Sequence, residues 1–144
     1  MIEFKILGIP APKQSARFYG KNIGGKIMIK SYQKTEVVQK EMSIASEVRS
    51  QLPEGFIPFD CPVSMEVLFV FPPLSSMKKA TKSAIENGEI IYKPTKPDLQ
   101  DNLMKGLCDA MNGVVFIDDS RICKVESQKI YGTIPRTEVI IKAL

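Results

Sequence analysis

Residues 96–122 read KPDLQDNLMKGLCDAMNGVVFIDDSRI, and the reading of this stretch decides both fold and chemistry. It holds five aspartates, Asp98, Asp101, Asp109, Asp118 and Asp119, together with Lys105. Four of those carboxylates, Asp98 and Asp101 from one element and Asp118 and Asp119 from another, can meet at one point. Converging carboxylates repel, and a divalent cation such as Mg2+ or Mn2+ neutralises them in a hydrolytic site.

The spacing predicts a helix over 98–112. At about 100° per residue, Asp98, Asp101 and Lys105 fall within roughly 60° of one another. Asp109 lies on the same face one turn beyond Lys105, where pairing with the lysine is its simplest role. Leu103, Leu107, Ala110 and Met111 occupy the opposite, core-facing side. Asp98 after Pro97 reads as an N-cap, and Asn112-Gly113 as a stop. The apolar run 114–117 then reads as a strand delivering Asp118 and Asp119 to its end. Side chains alternate along a strand, so one of the two should face the helix. Taken singly, each aspartate has a structural explanation as a cap, a surface pair or a turn; two pairs at two neighbouring element ends favour a site.

Working outward, 44% hydrophobic residues in a chain of 144 suffice for one core, so a single domain over 1–144 is expected. No stretch approaches the length of a membrane span, and the N-terminus lacks a signal peptide's pattern, which predicts a cytoplasmic protein. Cys61, Cys108 and Cys123 lie in no CxxC, and the chain has no histidine. They read as small buried or half-buried thiols, and zinc is not expected. Lack of histidine also removes Ser-His-Asp, Cys-His and His-metal mechanisms within this chain. Carboxylate, lysine and metal remain.

The net charge is +4, but residues 4–35 hold seven basic residues and no acidic one. A basic surface beside an acidic site is what a protein acting on polyanionic DNA requires. Lys13, Arg17, Lys21 and Lys26 from this segment, and Lys96 beside Asp98, are the candidate phosphate contacts. Phe18, Tyr19 and Tyr32 are interleaved for stacking on opened bases.

The rest of the chain predicts an α+β order: strands at 2–9 and 26–32 that can pair as neighbours, a loop at 10–25, and a long helix at 34–52 ending at Pro53. A strongly apolar strand follows at 62–71, then a shorter helix at 76–87, a short segment at 90–92, and strands near 123–131 and 137–142. A small mixed β-sheet packed with two to three helices is the expected architecture.

The residues KPDLQDNLMKGLCDAMNG followed by FIDDSRI resemble the signature of the RusA-like Holliday junction resolvases, in which an Asp-Asn pair, a Lys four residues after that Asp, an Asp-Ala pair, Asn-Gly and Asp-Asp occur in this order. The N-terminal GIPAPKQSAR, residues 8–17, is similar to the family's opening. One departure stands out: Leu99 and Gln100 both intervene between Asp98 and Asp101, where the family has one residue. The resemblance implies catalytic Asp98, Asp101, Lys105 and Asp119, with Asp98, Asp101 and Asp119 holding Mg2+ or Mn2+ and Asp118 left without a role. It further implies a homodimer making paired nicks in four-way DNA junctions. Two other readings stay open: a non-catalytic DNA-binding protein in which the aspartates are caps, and a Mg2+-dependent enzyme acting on nucleotides or other phosphoesters.

Overall fold

In the computed structural model, which describes residues 1–12, 17–32 and 35–144, the chain runs β1 (Ile2–Leu7), β2 (Arg17–Ile23), β3 (Lys26–Tyr32), α1 (Thr35–Gln51), β4 (Val63–Phe71) and α2 (Lys79–Glu86). A π-helical turn (Leu99–Met104) leads directly into α3 (Lys105–Met111), and a 3-10 turn (Asp119–Arg121) opens β5 (Ile122–Tyr131), followed by β6 (Arg136–Ala143). This is the expected α+β class: a mixed four-stranded sheet in the order β1-β6-β4-β5 with three helices.

β4 lies inside the sheet because its sequence, VSMEVLFVF, is apolar enough to be covered widely. It pairs antiparallel with β6 and parallel with β5. Phe4 and Ile6 of β1, Met65, Val67 and Phe69 of β4, and Val139 and Ile141 of β6 are all buried. They recur at every second residue of their strands and so point to one face. Val48 of α1 and Leu103, Leu107 and Met111 complete that core. The core side anticipated for the motif helix is therefore correct.

Three expectations are revised. The predicted loop at 10–25 contains β2, which pairs with β3 in a separate hairpin. Gly24 and Gly25 connect the two strands, both with positive φ, 57° and 81°, as the tight hairpin turns matching strand twist require. The first strand does not pair with β3 but with β6. The run 114–117 is a turn, with Val114 N–H and Val115 N–H both donating to the Met111 carbonyl at 3.0 Å. Val114, Val115 and Phe116 are buried consecutively, which an alternating strand does not do. Phe59 pins this turn, its N–H donating to Val115 O at 2.9 Å and its carbonyl accepting from Ile117 N–H at 3.0 Å.

Phe116 is fully buried and fixes the path by which the chain returns to Asp118. Phe116→Ala should lower unfolding free energy by about 3–5 kcal/mol in urea denaturation, whereas the exposed neighbour Ile117→Ala should change it little.

Candidate active site

The connection between the parallel strands β4 and β5 carries the acidic residues. Residues 91–93 lie against the outer edge of β5: Lys93 N–H donates to Lys129 O at 3.0 Å and Tyr131 N–H to Ile91 O at 2.9 Å. Lys93 is 8% exposed. Its ammonium sits 5.3 Å from the Phe71 ring centroid and 5.2 Å from that of Tyr131, and donates to Thr95 Oγ1 at 3.0 Å. Two aromatic faces and one hydroxyl thus replace much of the water a buried cation loses. From β5, Lys129 Nζ donates to the carbonyls of Thr95 at 2.5 Å and Pro97 at 2.7 Å. Two lysines therefore fix the segment, with its cis Lys96–Pro97 bond, that presents Asp98.

Asp98 is extended, φ −66° and ψ 136°, and its side chain caps no backbone N–H. The expected N-cap is replaced by a wider turn in which Leu103 N–H donates to the Asp98 carbonyl, five residues back, at 3.1 Å. The uniform α-helical angle expected between Asp98 and Asp101 does not apply to such a turn. A turn closing on the fifth residue holds one residue more than an α-turn, and it accommodates both Leu99 and Gln100. Asp98 and Asp101 nevertheless line one open depression of about 330 Å³, together with Leu99, Gln100 and Lys129.

Lys105 begins α3 and is exposed, with no hydrogen bond or ion pair to another described residue. Asp118 and Asp119 have separate environments. Asp118 accepts from Ser120 N–H at 2.9 Å as the cap of the 3-10 turn. Hydrogen bonds from Ser120, first from its side chain and then from its backbone, hold the Asp118 carboxyl below its usual range. Asp119 acts toward α3. The Cys108 thiol is pushed up from 9.0 to about 12 by burial first, then by the negative charge of Asp119, then by that of Asp109. Of the two neighbouring aspartates, Asp118 serves the turn, and Asp119 is the one whose field reaches the helix. Arg121 anchors the same turn to Asp60 at 2.9 Å.

The donors are all carboxylate oxygens, the hard ligands that suit Mg2+. Among the described residues no group of three His, Cys, Asp or Glu side chains is close enough to hold a metal ion. A site built here would thus rest on one or two carboxylates with water completing the shell, the usual arrangement for Mg2+. Of the candidate phosphate contacts, Lys96 is exposed beside Asp98 and Lys26 is exposed next to the hairpin turn. Arg17 and Lys21 belong to β2, while Lys13 lies outside the described residues. Lys129 and Lys93 were not identified from sequence. Lys129 is separated from Asp101 by 28 residues, and no local pattern marks it.

The sheet, its parallel crossover and the solvent-open depression with two aspartates and a strand-borne lysine define a class: α+β proteins with an acidic site built on a crossover connection. The model of the family Endodeoxyribonuclease RusA matches residues 10–142, and the chain belongs to that family. It is also 32% identical over 143 residues to "Uncharacterized protein YqaN" of Bacillus subtilis (strain 168), covering 98% of this chain and 95% of that protein. No helix among the described residues is long and apolar enough to cross a membrane.

Removing the Asp119 charge by Asp119→Asn should lower the Cys108 pKa, seen as alkylation of Cys108 beginning at lower pH than in the parent protein. Because the folded value is raised, the stability from the protonated thiol is complete below about pH 9 and is lost as pH rises toward about 12. Lys129→Gln should slow turnover by about 10- to 100-fold through displacement of Asp98, with Lys129→Arg recovering part of the loss in a nicking assay.

Proposed function

We propose that this chain is a Mg2+-dependent, structure-specific endodeoxyribonuclease that resolves four-way DNA junctions by paired symmetric nicks, working as a homodimer in DNA recombination and repair in the cytoplasm. The family membership supports DNA phosphodiester cleavage. The observation that carries the assignment of the site is the placement of Asp98 and Asp101 around one open depression, with Lys129 fixing the loop that leads into it.

Asp98 and Asp101, which border the depression, would hold the ion with water completing its shell, while Asp119, which the resemblance also implicates, is not among the residues lining that depression; Mn2+ has the same oxygen preference. When bound, Mg2+ lowers the pKa of a coordinated water and screens the phosphate charge. The reaction adds a water oxygen to phosphorus and breaks the bond to the 3′ oxygen, leaving a 5′-phosphate and a 3′-hydroxyl. Lys105, one turn beyond Asp101 and exposed, offsets negative charge developing on the phosphoryl oxygens. Lys96, beside Asp98, and Lys13, Arg17, Lys21 and Lys26 supply phosphate contacts along the approaching strands. The open form of the depression suits a bulky polyanion better than a small nucleotide, which a site would normally enclose.

End-labelled synthetic junction incubated with the protein and Mg2+ should acquire symmetric paired nicks, absent without metal, on linear duplex, and with Asp101→Asn. Binding without cleavage in either Mg2+ or Mn2+ would instead support a non-catalytic junction-binding protein, a reading favoured by the lack of a three-acid cluster among the described residues. Lys105→Ala should lower turnover by about 100-fold while leaving junction affinity within a few fold; equal losses in both would make Lys105 a DNA contact.

A further inference from the structure

Hairpin β2–β3 forms a sheet of its own: among the described residues its two strands pair only with each other. Lys26, Ile27, Met28 and Ile29 are exposed in succession, so this part of β3 is covered on neither face. Ile27 is 77% exposed and Ile29 74%. Two strands alone are marginally stable in water, and apolar side chains this bare on such a ribbon mark a surface that meets a partner.

The register shows what each face carries. Directly opposed residues of an antiparallel pair lie on one face, and faces alternate along each strand. Arg17 with Tyr32, Tyr19 with Lys30, Lys21 with Met28 and Ile23 with Lys26 therefore share one face, while Phe18 with Ser31, Gly20 with Ile29 and Asn22 with Ile27 share the other. Every cation of the hairpin falls on the first face. The second has no charged residue, and Gly20, opposite Ile29, has no side chain to cover it. A ribbon with water on both sides has no reason to keep charge off one of them.

Charge selects the partner. Residues 17–32 hold four basic residues and no acidic one, as much positive charge as the net +4 of the whole chain. Stacking this hairpin on that of a second copy would gather like charges, whereas a polyanion is its complement. Each strand has seven residues and spans about 20 Å, and the DNA major groove, about 12 Å wide, admits a two-stranded ribbon. The uncharged face needs an apolar complement on the same ligand. DNA offers one where stacking is interrupted: at a branch point the flat faces of the terminal base pairs are open, and a linear duplex has none between its ends.

We propose that Ile27 and Ile29 cover a base-pair face opened at the branch point, while the cationic face of the same hairpin follows the phosphates of the adjoining arm. This rests on the junction-resolving reading and deepens it, because the two isoleucines become the residues that separate branched from linear DNA. Aliphatic side chains inserted at a base step hold it unstacked. The lysines serve both substrates alike, since the phosphates are the same in each.

The test uses the full chain with a synthetic four-way junction carrying 2-aminopurine beside the branch point, a linear duplex of equal length, and Ca2+ in place of Mg2+. The parent protein should bind the junction more tightly and raise the 2-aminopurine fluorescence as the base step opens. Ile27→Ser with Ile29→Ser should weaken junction binding by about tenfold, abolish the fluorescence rise, and leave duplex affinity and salt dependence unchanged. Ile27→Leu with Ile29→Leu should keep both signals, and Ile57→Ser, at an equally bare site outside the hairpin, should change neither. Lys26→Ala should instead weaken both substrates together and lower the salt slope by about one. Equal losses on junction and duplex from the serine pair, or a fluorescence rise that survives it, overturn the proposal. So does loss of a dimer in light scattering from the same pair, which would make this face a contact between copies. A parent protein that binds junction and duplex equally removes the junction-resolving reading and the wedge with it, whereas one that prefers the junction with or without the two isoleucines removes the wedge alone.

Discussion

Parallel pairing of β4 with β5 is the constraint on which the remaining arrangement depends. Parallel neighbours cannot be joined by a hairpin, so the chain must leave the end of β4 and return to the beginning of β5 by a long crossover. That crossover contains α2, the loop bearing Lys93 and Lys96, the π-helical turn and α3, and Asp119 stands at its re-entry. Asp98 and Asp101 border one depression, and Asp119 stands where the chain re-enters the sheet, because one connection has to pack its helix against the sheet and then bring the chain back beside β4. Antiparallel pairing of the same two strands would remove the need for this path.

The crossover is held by polar fastening as much as by apolar packing. Leu103, Leu107 and Met111 anchor one side of the π turn and α3 in the core. The other side is set by Lys129, which reaches from β5 to two successive loop carbonyls, and by Lys93, buried between Phe71 and Tyr131. A buried ammonium without a carboxylate partner is costly, and aromatic faces reduce that cost without adding a negative charge. A carboxylate in that place would compete for any cation drawn to Asp98 and Asp101. The loop is thus fixed by groups that place no further carboxylate beside Asp98 and Asp101.

Division of labour between adjacent identical residues recurs in the site. Asp118 and Asp119 are adjacent in the chain, yet one caps a turn and the charge of the other acts on Cys108 of α3. Asp98 and Asp101 are separated by two residues, and the wider turn lets both border the same depression. In each case backbone geometry, not residue type, assigns the role. π-Helical turns occur often at functional sites because they place side chains at angles that a regular helix does not provide.

Much of this was legible from local pattern. The strongly apolar strand at 62–71, the core side of 103–111, the stop at Asn112-Gly113 and the motif that carries the family likeness all depend on neighbours close in sequence, which local pattern reads directly. The hairpin of β2 and β3 has a local signal too, two glycines between strand-like runs. What the sequence by itself determined was the chemistry, carboxylates and lysines with no histidine, and the elements that carry it. Tertiary structure alone decided that β1 pairs with β6, that residues 114–117 turn instead of extending, that the expected helix begins as a π turn, and that Lys129 serves the site. The physical reason is the same throughout: these outcomes depend on contacts between residues distant along the chain, whose free energy exceeds the weak local preferences that a sequence pattern records.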